Sequence, residues 1–206
     1  MKRGAFFVID GIDGCGKTTQ AERLRKNLVR SGYDAVLIRD PGSTQAGERI
    51  RELLLKEESA PISTVAELFL FLAARAQMVA ETLTPLIDQG KTVVSERYNM
   101  STVAYQGSLK RFSAEKISRI IQLTEYYPEP DYVFILDIPP EDAAERRGTE
   151  SDRIESRSLE YQSRVREIFA AQARQTENAE ILDALEYPAI IAEKIFDRVK
   201  HVLDKN

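Results

Sequence analysis

Eight consecutive residues, Gly11, Ile12, Asp13, Gly14, Cys15, Gly16, Lys17 and Thr18, fit the pattern G-x-x-x-x-G-K-[ST]. That spacing suits a loop built to hold phosphate. Its glycines let the backbone adopt unusual angles, so that N–H groups converge on an anion. Lys17 can reach the β- and γ-phosphates of a nucleotide, and Thr18 can offer a hydroxyl to Mg²⁺. A chance glycine turn ahead of a helix would look the same in isolation, so the flanking residues decide. Residues 5–9 are an apolar run that reads as a buried strand. Residues 19–29 read as a helix with Leu24 and Leu28 on one face. The loop therefore joins a strand to a helix, whose positive end would point at the same anion.

Other charged residues recur at the ends of apolar runs. Arg39 and Asp40 follow residues 35–38, Glu96 and Arg97 follow residues 92–94, Asp137 follows residues 132–136, and Asp183 follows residues 179–182. Helical patterns separate these runs at residues 48–56, at 63–75, at 83–89, from about 101 to 106, and at 114–124. Further patterns follow at 140–147, 159–175 and 190–203. Alternating strands and helices predict an α/β fold, a five-stranded parallel sheet with helices on both faces. Ligands of such sheets sit beyond the carboxyl ends of the strands. Every strand would then deliver charge or phosphate-binding groups to one edge, which describes an anion and metal site. For Asp137 and Asp183 taken singly, a solvated cap or turn residue is the better reading.

Composition sets the outer bounds. The chain has 206 residues, 43% hydrophobic and 30% charged, which suits one domain with a substantial core. A net charge of −4 argues against broad electrostatic capture of nucleic acid. The positive charge is uneven, with Arg146, Arg147, Arg153, Arg157, Arg164 and Arg166 close together. Cys15 is the sole cysteine, so no internal disulfide can form, and a reducing, cytoplasmic setting is expected. No apolar run approaches a membrane span, and the first strand begins too early for a signal peptide. Cys15 itself reads as a small filler whose thiolate Lys17 and the helix end could favour.

The ordered motifs resemble the thymidylate kinase family over nearly the whole chain. They are residues 10–20 around the phosphate loop, 39–44 with Gly47 and 50–55, 71–75, and Glu96-Arg97-Tyr98 followed by Ser101 and residues 104–107. The last is the most specific. Asp10, Asp40, Ser43 and Glu96 depart from the family's usual Glu, Glu, Gly and Asp. Three of these exchange one carboxylate for another, changing reach by one methylene.

The resemblance implies a three-layer P-loop NTPase fold with a lid at about 146–155, the whole of 1–206 forming one kinase domain. It implies γ-phosphoryl transfer from ATP to dTMP, giving dTDP and ADP for dTTP synthesis, with Mg²⁺, a homodimer, and neither nucleic acid nor membrane as partner. Residues 11–18 would hold the ATP phosphates. Thr18 would contact the metal, with Glu96 acting directly or through water; an ion pair to a nearby arginine is the bland alternative for Glu96. Arg97 and Arg51 would bind the dTMP phosphate, with Arg39 a third candidate. Phe71 would stack on thymine; core packing beside Leu68 and Leu72 would be the better reading without Arg75 and the later motifs. Arg75 would donate to the thymine O4. Tyr105 would lie against the sugar, Asp13 near the 3′-hydroxyl, and Ser101, Thr102 and Gln106 along the base. Arg146, Arg147 and Arg153 are the lid arginines expected to close over the phosphates, with Arg153 the stronger candidate. Arg157, Arg164 and Arg166 are expected on a solvated helix face, pairing with nearby glutamates. A kinase for another acceptor, a GTP switch and a binding module without turnover are the rivals. The absence of an Asn-Lys-x-Asp pattern speaks against the switch.

Overall fold

The structure, a computed structural model, describes residues 3–56, 61–109, 111–123, 128–147, 153–154 and 157–205. Five parallel strands form one sheet in the order β2-β3-β1-β4-β5. They are β1 (Phe6–Asp10), β2 (Ala35–Arg39), β3 (Thr92–Glu96), β4 (Tyr132–Asp137) and β5 (Ala179–Asp183). All five residues of the central strand, β1, are buried. That is the signature of a parallel strand covered on both faces. Phe6, Phe7, Val8, Ile9, Val93, Val94, Phe134 and Ile135 are among the sheet residues that build the main core.

The helices are α1 (Lys17–Arg30), α2 (Gln45–Leu55), α3 (Thr64–Met78), α4 (Thr84–Asp88), α5 (Asn99–Gly107), α6 (Ala114–Gln122), α7 (Pro140–Arg147), α8 (Leu159–Arg174) and α9 (Pro188–Lys205). The Ser63 side chain caps α3 by accepting from Ala66 N. The expected separate helix at 83–89 is instead a continuation of α3, joined to α4 by a π-helical turn at Val79–Leu83. Helix α1 starts at Lys17, two residues earlier than its hydrophobic pattern suggests, because Gly16 takes the left-handed conformation at its N-cap (φ 95°).

A second apolar cluster, Leu68, Leu72, Val103, Ile117 and Ile121, ties α3, α5 and α6 together. It leaves Phe71 half-buried, facing another way. Two expectations at the back of the site are corrected. Asp137 is not a solvated cap: its two oxygens accept from Nε and Nη2 of Arg166, both at 2.7 Å. Arg166 thus pairs with a strand-end aspartate, while Arg164 does pair with Glu160 on its own helix, at 3.0 Å. Asp183 is a turn residue as read, its Oδ1 accepting from Leu185 N at 2.8 Å.

Candidate active site

The glycine-rich loop lies at the carboxyl end of the central strand. Gly11 (φ 137°) passes so close to β4 that a Cβ there would come within 2.5 Å of the Leu136 carbonyl oxygen. Gly14 (φ 88°) packs against the Ala143 carbonyl and the stem of Arg147 on α7. No side chain caps the N-terminus of α1, so its first N–H groups are left to the loop's ligand. Lys17 is almost fully buried; its Nζ donates to the Ile12 carbonyl at 2.8 Å and lies 3.4 Å from Asp13 Oδ1. Ile12 and Cys15 are buried within the loop. Burial pushes the Cys15 thiol up, with Lys17 pulling against it, so the favoured thiolate of the sequence reading is corrected.

Beside the loop is a cavity of about 430 Å³. Asp13, Gly14, Gly16, Lys17 and Thr18 form one wall. Thr18 Oγ1 donates to Glu96 Oε1 at 2.9 Å, and Glu96 faces the same cavity. Arg39, Arg51 and Arg97 bring three guanidinium groups to it. Arg39 is held by Glu48, with Nη2 2.7 Å from its carboxylate. Arg51 donates Nη1 to the Pro41 carbonyl at 3.2 Å. Phe71, Arg75, Ser101, Thr102, Tyr105 and Gln106 complete the far wall. Glu67, Phe71 and Arg75 follow one another at four-residue intervals along α3, so they share a face.

Arg97 is the centre of the polar network. Its backbone is left-handed (φ 70°), a conformation that costs a non-glycine residue about 1–3 kcal/mol. The turn is held by Ser95 Oγ donating to the Arg97 carbonyl at 2.7 Å and by Arg97 N donating to the Ile9 carbonyl at 3.0 Å. Its guanidinium bonds Asp13 through Nη2, donates Nη1 to Ser101 Oγ at 3.1 Å, and lies over the Tyr105 ring, 5.1 Å from its centroid. Burial opposes the charge, but Asp13, Tyr105 and Asp10 hold Arg97 firmly protonated. Behind it, the fully buried Asp10 accepts from Gly11 N at 2.9 Å and Ser101 Oγ at 2.7 Å. Burial pushes the Asp10 carboxyl up despite Arg97.

Asp13 moves the other way. Burial alone would raise it, but Arg97, Lys17 and the Tyr105 hydroxyl at 2.6 Å outweigh burial. Its carboxyl is held well below the ordinary value of 3.8. A depressed carboxyl adds stability that is complete above its unfolded value and is lost as pH falls towards its folded one. Between those limits the unfolded state binds the extra proton, so stability rises with pH. The Asp13→Asn protein is therefore expected to lose a slope of up to about 1.4 kcal/mol per pH unit below pH 4. Urea unfolding of both proteins across pH 2–4 measures it.

The two described arginines between α7 and α8 are tied to groups on α2 and α3. Arg153 donates Nε to the Leu54 carbonyl at 2.9 Å and Nη2 to Glu67 Oε2 at 2.7 Å. Ile154, next to it, lines the cavity. Arg157 is not on a solvated helix face. It precedes α8, bonds Glu67 Oε2 at 2.7 Å and donates to the Tyr161 hydroxyl at 2.8 Å. Residues 148–152 and 155 of the expected lid fall outside the described residues. Sequence reasoning missed Glu67 altogether, along with Asp40 as a partner: Asp40 Oδ2 accepts from Arg75 Nε at 2.5 Å in full burial. The four-residue spacing of Glu67, Phe71 and Arg75 was the signal available for the first.

A glycine-rich loop at the end of a central parallel strand, facing a second pocket rich in arginine, defines a P-loop kinase of the nucleoside monophosphate type. The comparisons narrow that class. The family model described as Thymidylate kinase matches residues 9–195. A thymidylate kinase of Thermoanaerobacter sp. (strain X514) is 35% identical over 203 residues, covering 98% of this chain and 100% of the relative. That of Carboxydothermus hydrogenoformans is 38% identical over 205 residues, covering 98% of each. That of Synechococcus sp. (strain RCC307) is 43% identical over 176 residues, covering 82% of each. The chain belongs to the thymidylate kinase family.

Proposed function

We infer that this chain transfers the γ-phosphoryl group of ATP to dTMP, giving dTDP and ADP. One observation carries the reading: the phosphate loop and the Phe71, Arg75, Tyr105 and Gln106 wall share one cavity, so a donor and a base-bearing acceptor can meet there. The acceptor is a phosphate oxygen, already ionised near neutral pH, so the site needs alignment and positive charge rather than a strong base.

Residues 11–18 hold the ATP phosphates, with the backbone N–H groups and Lys17 as donors. Mg²⁺ fits the Thr18 and Glu96 oxygens, which lie 2.9 Å apart on the cavity wall. Among the described residues no cluster of three or more acidic, histidine or cysteine side chains could cage a metal. That suits an ion completed by phosphates and water. When bound, it neutralises charge on the transferring group. Arg97, Arg51 and Arg39 bind the acceptor phosphate, where a guanidinium fork matches phosphate oxygens. Asp13 orients Arg97 and lies on the sugar side with Tyr105. Phe71 stacks on the base, Ser101, Thr102 and Gln106 border it, and Arg75 Nη1 reads its O4. Among the described residues that buried Nη1 has no hydrogen-bond partner, as a donor reserved for a ligand would be. Arg147 and Arg153 add positive charge from the lid at about 146–155.

The whole chain acts as one kinase domain in the cytoplasm; among the described residues no helix is long and apolar enough to cross a membrane. A homodimer through α3 is supported by its outer face, where Ala66, Phe69, Ala73 and Ala76 are all exposed, with exposed Ala80 following in the π-helical turn. Phe69 is 58% exposed.

ADP formation with ATP, with and without Mg²⁺, across dTMP, dUMP, dCMP, UMP, AMP and GMP tests the reading. Turnover is expected to require Mg²⁺ and to be highest with dTMP. Preference for another acceptor would overturn the base assignment, and ADP release independent of any acceptor would overturn the transfer.

A further inference from the structure

Glu67 is 1% exposed, and its two oxygens do different work. Oε2 accepts from Arg153 Nη2 and Arg157 Nη2, each at 2.7 Å. Oε1 accepts from Gln106 Nε2 at 3.2 Å. A carboxylate gripped by two guanidinium groups offers acceptors only. An amide beside it has one choice of orientation, with its NH₂ turned to the acid. Gln106 Oε1 is then left with no hydrogen-bond partner among the described residues. Gln106 is itself 1% exposed and lines the cavity, as does Arg75, whose Nη1 has no hydrogen-bond partner among the described residues. The wall therefore presents a fixed donor and a fixed acceptor.

We propose that Glu67 is a positioning residue that sets base specificity: by locking the Gln106 amide with its carbonyl oxygen free, it makes the wall complementary to a ring carrying an adjacent C=O acceptor and N–H donor. Thymine has that pair at O4 and N3–H. Cytosine has the reverse pair, an NH₂ donor beside an unprotonated N3. The wrong base leaves buried polar groups facing their own kind, which is how a small hydrogen-bond difference becomes discrimination. Arg153 and Arg157 keep Glu67 in place, so residues distant in sequence bear on the choice. This rests on dTMP being the acceptor.

Glu67→Gln can donate as well as accept, so it frees Gln106 to turn over. The ratio of kcat/KM for dTMP to that for dCMP is expected to fall at least tenfold in Glu67→Gln. In a Gln106→Ala background the same substitution should leave the ratio unmoved, whereas general damage to the pocket would lower both acceptors alike in either background. A ratio unchanged by Glu67→Gln, or changed equally in both backgrounds, overturns the role of Glu67. A wild-type protein indifferent to dTMP and dCMP overturns the acceptor assignment instead. Should Glu67→Gln not fold, side-chain amide NMR of the wild type decides. With dTMP bound, the Gln106 carbonyl carbon should shift while its NH₂ protons stay protected from exchange; shifted, rapidly exchanging NH₂ protons would overturn the proposal.

Discussion

Arg97→Ala is expected to lower kcat/KM for dTMP on the order of 10³-fold, the scale on which phosphoryl transfer depends on a single arginine at the reacting group. Arg97 is the guanidinium shared by both halves of the site. It binds Asp13 in the phosphate loop and Ser101 at the start of α5, and it lies over Tyr105. Its left-handed backbone would not persist without the contacts that enforce it, which is why the strain points to a use. Removing the side chain also leaves Asp10 and Asp13 buried with less compensating charge. Arg97→Lys should recover little, because an ammonium cannot fork to two phosphate oxygens while bonding Asp13. Steady-state kinetics with each substrate varied makes the check. A loss confined to the KM for ATP, with dTMP parameters unchanged, would show that Arg97 only braces the loop.

The parts of this site legible in the sequence are those whose chemistry is local. The phosphate loop needs glycines, a lysine and a hydroxyl at fixed offsets, and the strand ends announce themselves by a charge after an apolar run. Arg97 and Glu96 were visible for that reason. Arg75 was half visible. Its spacing from Phe71 placed it on the cavity side of α3, but nothing in the sequence told that Asp40, 35 residues away, holds its Nε. Glu67 shares that spacing but is easily passed over, because a glutamate in a helix ordinarily reads as solvated. Its burial depends on two arginines 86 and 90 residues further on. Arg157 was misread by the same logic, as a local helix charge, when its partners lie across the fold. The π-helical turn after α3 likewise follows from packing that no short window of residues records. What was lost is long-range pairing of charges, where many partners satisfy the same chemistry and topology alone selects one.

The Asp40–Arg75 pair yields the second large effect. Both side chains are essentially sealed from solvent, at 0% and 1% exposure. Arg75→Ala leaves a buried carboxylate without its cation, a change that typically costs about 3–5 kcal/mol. Thermal melts should show a fall in Tm on the order of 10 °C for a domain of this size. Burial already pushes the Asp40 carboxyl up against the pull of Arg75, so the variant relieves part of the penalty by taking up a proton there. The variant's loss should accordingly shrink as pH is lowered. The double variant Asp40→Leu, Arg75→Met separates stability from recognition. Exchanging a buried ion pair for apolar side chains of similar volume is often neutral or stabilising, so the double variant should melt well above Arg75→Ala. It still lacks the Nη1 donor, and no apolar group can answer a thymine O4. Its preference for dTMP over dCMP should stay as low as that of Arg75→Ala while its Tm recovers. Recovery of both together would mean that the pair only holds the pocket open; recovery of Tm alone would place base reading on Arg75 itself.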